Sequence, residues 1–143
     1  MDRTAEARWT GDLKSGKGSI RVGSGAFEGP YSFTSRFESG SGTNPEELLG
    51  AAHAGCFSMA LSLALSLAGH TPTSVTTTAT VHLRKVGEGF GITGIDLVTR
   101  GVVPGIAAAE FQRLAEATKT GCIISKALSA VPMTLDARLL AGG

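Results

Sequence analysis

The chain has 143 residues, long enough for one domain over 1–143 with its own core, and its two cysteines are too few for a disulfide-built scaffold. Lysines and arginines number 13 against 12 acids, a net charge of +1 with no basic run, which excludes the electrostatic footprint of a nucleic-acid binder. The polar start Met1-Asp2-Arg3-Thr4-Ala5-Glu6 lacks the apolar centre of a signal peptide, so a cytoplasmic protein is expected.

The first third reads as β structure cut by glycine. Residues 5–10 alternate, Gly11-Asp12 and Ser15-Gly16 mark turns, residues 18–22 alternate again, and Gly23-Ser24-Gly25 breaks the run. Residues 31–38 look like the clearest strand, with Tyr31, Phe33, Ser35 and Phe37 on one face and Ser32, Thr34, Arg36 and Glu38 on the other. Ser39-Gly40-Ser41-Gly42 links it to a long helix. Thr43 or Asn44 can cap that helix, Pro45 suits its first turn, and Glu46 and Glu47 suit the positive end of its dipole.

The apolar stretch 48–68 should end near Gly69, with Thr71-Pro72-Thr73 barring continuation. It approaches the roughly 20 residues that cross a bilayer. Gly50, His53, Gly55, Ser58, Ser62 and Ser66 dilute it, however, so a helix buried in protein is expected and no membrane. Beyond it, 75–84 and 92–103 read as strands of a second sheet, the latter stopped by Pro104-Gly105. Residues 107–120 carry helical periodicity, aligning Phe111, Leu114, Ala115 and Thr118. Gly121 stops that helix, a short helix starts at Cys122, and 131–140 forms a last strand. Strands grouped before and after a central helix give an α+β class.

The candidate chemistry lies in the thiols. Cys56 sits deep in the apolar helix and Cys122 at the mouth of the short one. A free thiol titrates near 8.5 and burial raises it, so a reactive Cys56 needs an imported cation. Lowering its pKa by two units requires about 2.7 kcal/mol. Arg36 is the leading source, because its fork can address a sulfur and a substrate oxygen together, and Glu46 or Glu47 could hold that guanidinium. From the residues alone, Cys56 as core filler, Arg36 as a solvated strand residue and Glu46 as a helix-start charge stay open. His53, one turn before Cys56, is a candidate base or a core or interface histidine. His70 and His82 are expected at the surface. Three scattered histidines and two distant cysteines give no zinc spacing, and no metal is expected.

The segment Arg36-Phe37-Glu38, then Gly42-Thr43-Asn44-Pro45-Glu46-Glu47-Leu48-Leu49-Gly50-Ala51-Ala52-His53-Ala54-Gly55-Cys56-Phe57-Ser58-Met59, resembles the osmotically inducible protein C and organic hydroperoxide resistance family, closest to the first branch. The similarity extends to Trp9-Thr10-Gly11-Asp12, Gly69-His70-Thr71-Pro72-Thr73 and Gly121-Cys122. It implies antiparallel sheets wrapped around long central helices in an intertwined homodimer. It also implies a thiol peroxidase acting on organic hydroperoxides without cofactor. Cys56 would be the nucleophile and Cys122 the resolving thiol. Arg36 and Glu46 would attend the sulfur, Glu47 being the lesser choice. An external dithiol, such as a lipoyl-bearing protein, would be the reductant. Phe37, Phe57, Met59 and Phe111 are candidate pocket walls. Ile123 stands where family members often carry proline, which would loosen the start of the short helix. The competing expectation is a dimeric module that binds an apolar ligand or senses redox state without turnover.

Overall fold

The computed structural model describes residues 1–142. The described backbone divides into two compact units, 1–48 and the residues from 49 onward. In the first, β1 (Ala5–Thr10), β2 (Lys17–Val22) and β3 (Glu28–Tyr31) form an antiparallel sheet in the order β1-β2-β3. The β1–β2 turn is held by Asp12, whose carboxylate accepts from the Lys14 and Ser15 amides at 2.9 and 3.0 Å and from the Ser15 hydroxyl. That is the turn the Gly11-Asp12 signal predicts.

The expected strand over 31–38 is a correction. The strand stops at Tyr31, and α1 (Phe33–Phe37) follows. Ser32 caps it: its hydroxyl accepts from the Ser35 amide at 3.1 Å, while the Ser35 hydroxyl accepts from the Ser32 amide at 2.8 Å. This reciprocal box satisfies helix-start donors that a strand would leave exposed. Phe33 and Phe37, four apart, then stack with ring centroids 5.0 Å apart. Arg36 is therefore a helical residue, and the alternation that suggested a strand was a turn of aromatic neighbours.

The long helix α2 (Pro45–Leu67) begins in the first unit and runs through the second. Asn44 is its cap, accepting from the Glu47 amide at 2.8 Å. It ends as expected: Gly69 takes φ +88°, its amide donates to Ser66 at 3.0 Å and that of His70 to Leu65 at 2.9 Å. This Schellman pattern favours glycine at the left-handed position.

In the second unit, β4 (Ser74–Val86) and β5 (Gly89–Val102) pair antiparallel, and β6 (Met133–Leu140) joins β5 in parallel. The sheet is thus mixed, the parallel join being reached through α3 (Ala108–Gly121) and α4 (Ile123–Ala127). Ile95, Leu97 and Thr99 are buried at period two along β5. The aligned residues of α3, Phe111, Leu114, Ala115 and Thr118, are the buried ones. His53, Phe57, Leu61 and Leu65 form the buried stripe of α2 at spacings of four. Gly101 lets Phe111 close onto the sheet, since a Cβ there would sit 2.7 Å from the ring's Cζ.

α2 is long and apolar enough to cross a membrane by length and composition, but its repeated glycine, serine and histidine and its buried stripe suit packing against protein.

Candidate active site

In the first unit the candidate cation Arg36 has a holder. Arg36, in the last turn of α1, forms a bidentate pair with Glu46, in the first turn of α2. Nε lies 3.2 Å from each carboxylate oxygen and Nη2 2.8 Å from Oε1. The carboxylate side chain is 10% exposed and the guanidinium 37%. The two helix ends are tied by side chains that donate to backbone carbonyls: Asn44 Nδ2 to that of Ser35 at 3.1 Å, and the Ser35 hydroxyl to that of Thr43 at 2.7 Å. This fixes the direction of the guanidinium. Glu47 turns away and accepts from the Thr43 hydroxyl at 2.9 Å. The ambiguity between the two glutamates is thereby resolved in geometry: Glu46 is the partner of Arg36.

Arg36 also stacks over Phe37, its Cζ 5.2 Å from the ring centroid. Together they line a cavity of about 190 Å³ with Trp9, Leu13, Tyr31, Ser32 and Phe33. The sequence reading missed this aromatic cleft because it placed Tyr31, Phe33 and Phe37 along a strand face.

In the second unit the two sulfurs meet. Cys56 and Cys122, 66 residues apart, meet with their sulfurs 3.0 Å from one another, both as free thiols. Cys122 is 1% exposed, while Cys56 is half-buried. With both protonated, Cys122 donates to Cys56. The pair then titrates as a unit. Burial pushes the Cys56 thiol up, the shared contact with Cys122 pushes it further, and the Ile124 and Ile123 amides offset only part. Burial also raises Cys122, but the contact with Cys56, the amide and hydroxyl of Ser125 and the amide of Ile124 outweigh it and lower its pKa. The first proton loss therefore belongs to the pair and not to either sulfur alone. A nucleophilic Cys56 needs a cation to draw the charge across.

His53 does not serve Cys56 as a base: its Nε2 faces Ser125 Oγ at 2.8 Å, and its burial holds the ring pKa below the usual value. His82, expected at the surface, is half-buried and paired with Asp96 at 2.6 Å, and His70 is half-buried. Of the candidate pocket walls, Phe57 and Phe111 are core and Met59 is exposed; Phe37 alone lines the aromatic cleft. Ile123 is exposed and opens α4 directly after Cys122, so the proline substitution leaves the helix start in place. Ser125, missed in the sequence, is buried at the third position of α4, where the Cys122 cap makes no side-chain cap hydrogen bond. Among the described residues no group of three or more histidine, cysteine, aspartate or glutamate side chains could hold a metal ion.

Residues 38–136 match the OsmC-like protein family. The chain belongs to that family. It is 52% identical over 140 residues to peroxiredoxin OsmC of Escherichia coli strain K12, covering 97% of each chain, and equally similar to peroxiredoxin OsmC of Shigella flexneri. Among solved structures it resembles an organic hydroperoxide resistance protein of Elizabethkingia anophelis, at 26% identity, TM-score 0.73 and 96% coverage of both chains. It also resembles OhrB of Bacillus subtilis, at 25% identity, TM-score 0.73, and coverage of 94% of this chain and 98% of that one. The α+β fold expected from the sequence is thus the OsmC fold.

Proposed function

We propose that this OsmC-family chain is a cysteine peroxidase that reduces organic hydroperoxides to alcohols. The observation that carries the reading is the 3.0 Å approach of an accessible thiol and an enclosed one. Half-buried Cys56 is the more accessible of the two sulfurs and Cys122 the enclosed one, which supports Cys56 as the nucleophile. Arg36, aimed by Glu46, draws the negative charge to Cys56 and polarises the peroxide. The Cys56 thiolate attacks the outer peroxide oxygen, the O–O bond breaks, and the departing alkoxide takes a proton to become the alcohol. Cys122 then condenses with the Cys56 sulfenic acid to a disulfide, releasing water. An external dithiol, of which a lipoyl-bearing protein is the family's suggestion, restores both thiols by exchange. The scheme uses no metal or organic cofactor.

The relatives' names support the peroxidase class, and the aromatic cleft beside Arg36 supports an organic hydroperoxide over hydrogen peroxide, since an apolar wall rewards an apolar tail. The working form is a homodimer in the cytoplasm. Met59, Leu63 and Leu67 support the dimer: they form an exposed apolar stripe along α2 at spacings of four, the pattern of a helix awaiting a partner. Sustained consumption of cumene hydroperoxide over dihydrolipoamide tests the reading. A protein that reacts once and stops is a sensor or binder, and equal rates with hydrogen peroxide would overturn the substrate class.

A further inference from the structure

The aromatic cleft of the first unit has a shape that a general apolar wall would not need. Trp9 of β1, Gly18 of β2 and Tyr31 of β3 stand directly opposite one another in the sheet. A Cβ at Gly18 would lie 2.7 Å from Trp9 Cε3 and 2.7 Å from Tyr31 Cζ, so glycine lets the two rings close over β2 with centroids 5.2 Å apart. Gly16 does the same for the indole, since a Cβ there would sit 2.8 Å from Trp9 Nε1. That Nε1 donates to the Asp12 carbonyl at 3.3 Å, and the Asp12 carboxylate holds the turn. Leu13, carried on this turn, lines the cleft and is 61% exposed.

Size decides what such a cleft accepts. An apolar cavity of about 150 Å³ takes one benzene. This one, at about 190 Å³, has room for a single ring with a small branch and none for an extended acyl chain. The rings of Trp9, Tyr31, Phe33 and Phe37 reward a flat or compact apolar group. Arg36 stands in the same lining. Glu46 engages its Nε and Nη2, and Nη1 is not among the atoms that carboxylate holds, so N–H groups remain to meet an oxygen at the head of a bound molecule.

We propose that this cleft seats the tail of the hydroperoxide and limits it to one aromatic ring or a compact branched group, with Leu13 and Trp9 as the residues that set the limit. The proposal rests on the reading of Arg36 as the group that polarises the peroxide. With the peroxide oxygens at the guanidinium, the tail falls among the rings. Trp9 gives it a broad wall, and Leu13 closes the cleft on the side of the turn. An exposed leucine in a turn has no core to serve; a bound tail would cover it. Gly16, Gly18 and Asp12 hold the indole and the turn in place before a ligand arrives, so binding costs little further ordering. Discrimination between tails is then a matter of fit, where one methylene is worth about 10- to 200-fold.

The full-length protein offers two readouts. Trp9 is the chain's one tryptophan, so its fluorescence reports on the cleft directly. Titration with cumyl alcohol, the unreactive product, should give a saturable change in emission. In steady state, kcat/KM for cumene hydroperoxide should exceed that for linoleic acid hydroperoxide by about tenfold or more. Leu13→Ala opens the rim and should shrink this ratio about tenfold, whereas Leu13→Met, which conserves volume, should keep it. Leu13 is exposed, so both variants should fold as the unaltered protein does. Equal kcat/KM for the two hydroperoxides in the unaltered protein, an unchanged ratio in Leu13→Ala, or no response of Trp9 to cumyl alcohol overturns the cleft as the tail site and leaves the peroxidase reading standing. A saturable response of Trp9 without turnover of either hydroperoxide overturns the peroxidase reading, and the selection of hydroperoxides with it.

Discussion

Glu46→Gln separates the holder of Arg36 from its neighbour on the same helix turn. The substitution keeps shape and one acceptor but removes the charge from a pair with contacts of 2.8, 3.2 and 3.2 Å. Breaking a fully buried pair costs about 3–5 kcal/mol, and an exposed one about 0.2–1. With the carboxylate 10% exposed and the guanidinium 37%, the cost falls between these, at about 1–2 kcal/mol. Losing a carboxylate from the first turn of α2 adds about 0.3–1 kcal/mol through the helix dipole. Unfolding in urea should therefore be easier by about 2 kcal/mol with an unchanged slope. If Arg36 then loses its aim by a similar energy, kcat/KM for cumene hydroperoxide should fall about 10- to 100-fold. Glu47→Gln weakens the bond from Thr43, at about 0.5–1 kcal/mol, and loses the same dipole contribution of about 0.3–1 kcal/mol, but should keep its activity. Full activity in Glu46→Gln, or an equal loss in Glu47→Gln, would refute the assignment of Glu46 as the holder of Arg36.

Three further outcomes follow from the fold. Gly101→Ala would drive a methyl into the Phe111 ring, so the second unit should lose about 1–3 kcal/mol in thermal unfolding, and Phe111→Leu should relieve part of it. Leu63→Lys puts a charge in the middle of the exposed stripe of α2, where Leu63 is 61% exposed; size-exclusion chromatography should show monomer where the unaltered protein shows dimer. Asp12, Asp96 and Asp136 are all held below the usual carboxylate value of 3.8, chiefly by the Ser15 hydroxyl, the Thr134 hydroxyl and Arg100 respectively. A depressed folded-state pKa gives stability that is present above 3.8 and lost as pH falls through the lowered values. These three carboxylates should thus lower the melting temperature in that acid range, in addition to the loss that buried, neutral His53 starts as pH falls below 6.5, and Thr134→Val should shallow the acid part of the drop.

Much of the architecture was legible because local chemistry and tertiary packing agree there. The Asn44-Pro45 start and Gly69 stop of α2 obey capping rules, and the buried face of α3 follows its period. The strand expected over 31–38 failed because two serines, Ser32 and Ser35, satisfy each other's backbone and win over alternation across four residues. The parallel join of β6 was not legible, since pairing direction depends on a crossover and not on the strand's own residues. The site divided in the same way. Arg36 and Glu46 are ten residues apart and joined by helix-end geometry that sequence could suggest. Cys56 with Cys122, and His53 with Ser125, meet across 66 and 72 residues, where spacing carries no information. Only the family resemblance raised the first pair, and nothing raised the second.

The account stands or falls on which sulfur meets the peroxide. Peptide mapping of the Cys122→Ser protein after one equivalent of cumene hydroperoxide asks this directly. The account predicts one sulfenic acid, at Cys56, with an equal amount of cumyl alcohol released. Unoxidised Cys56 with the peroxide left intact would contradict it.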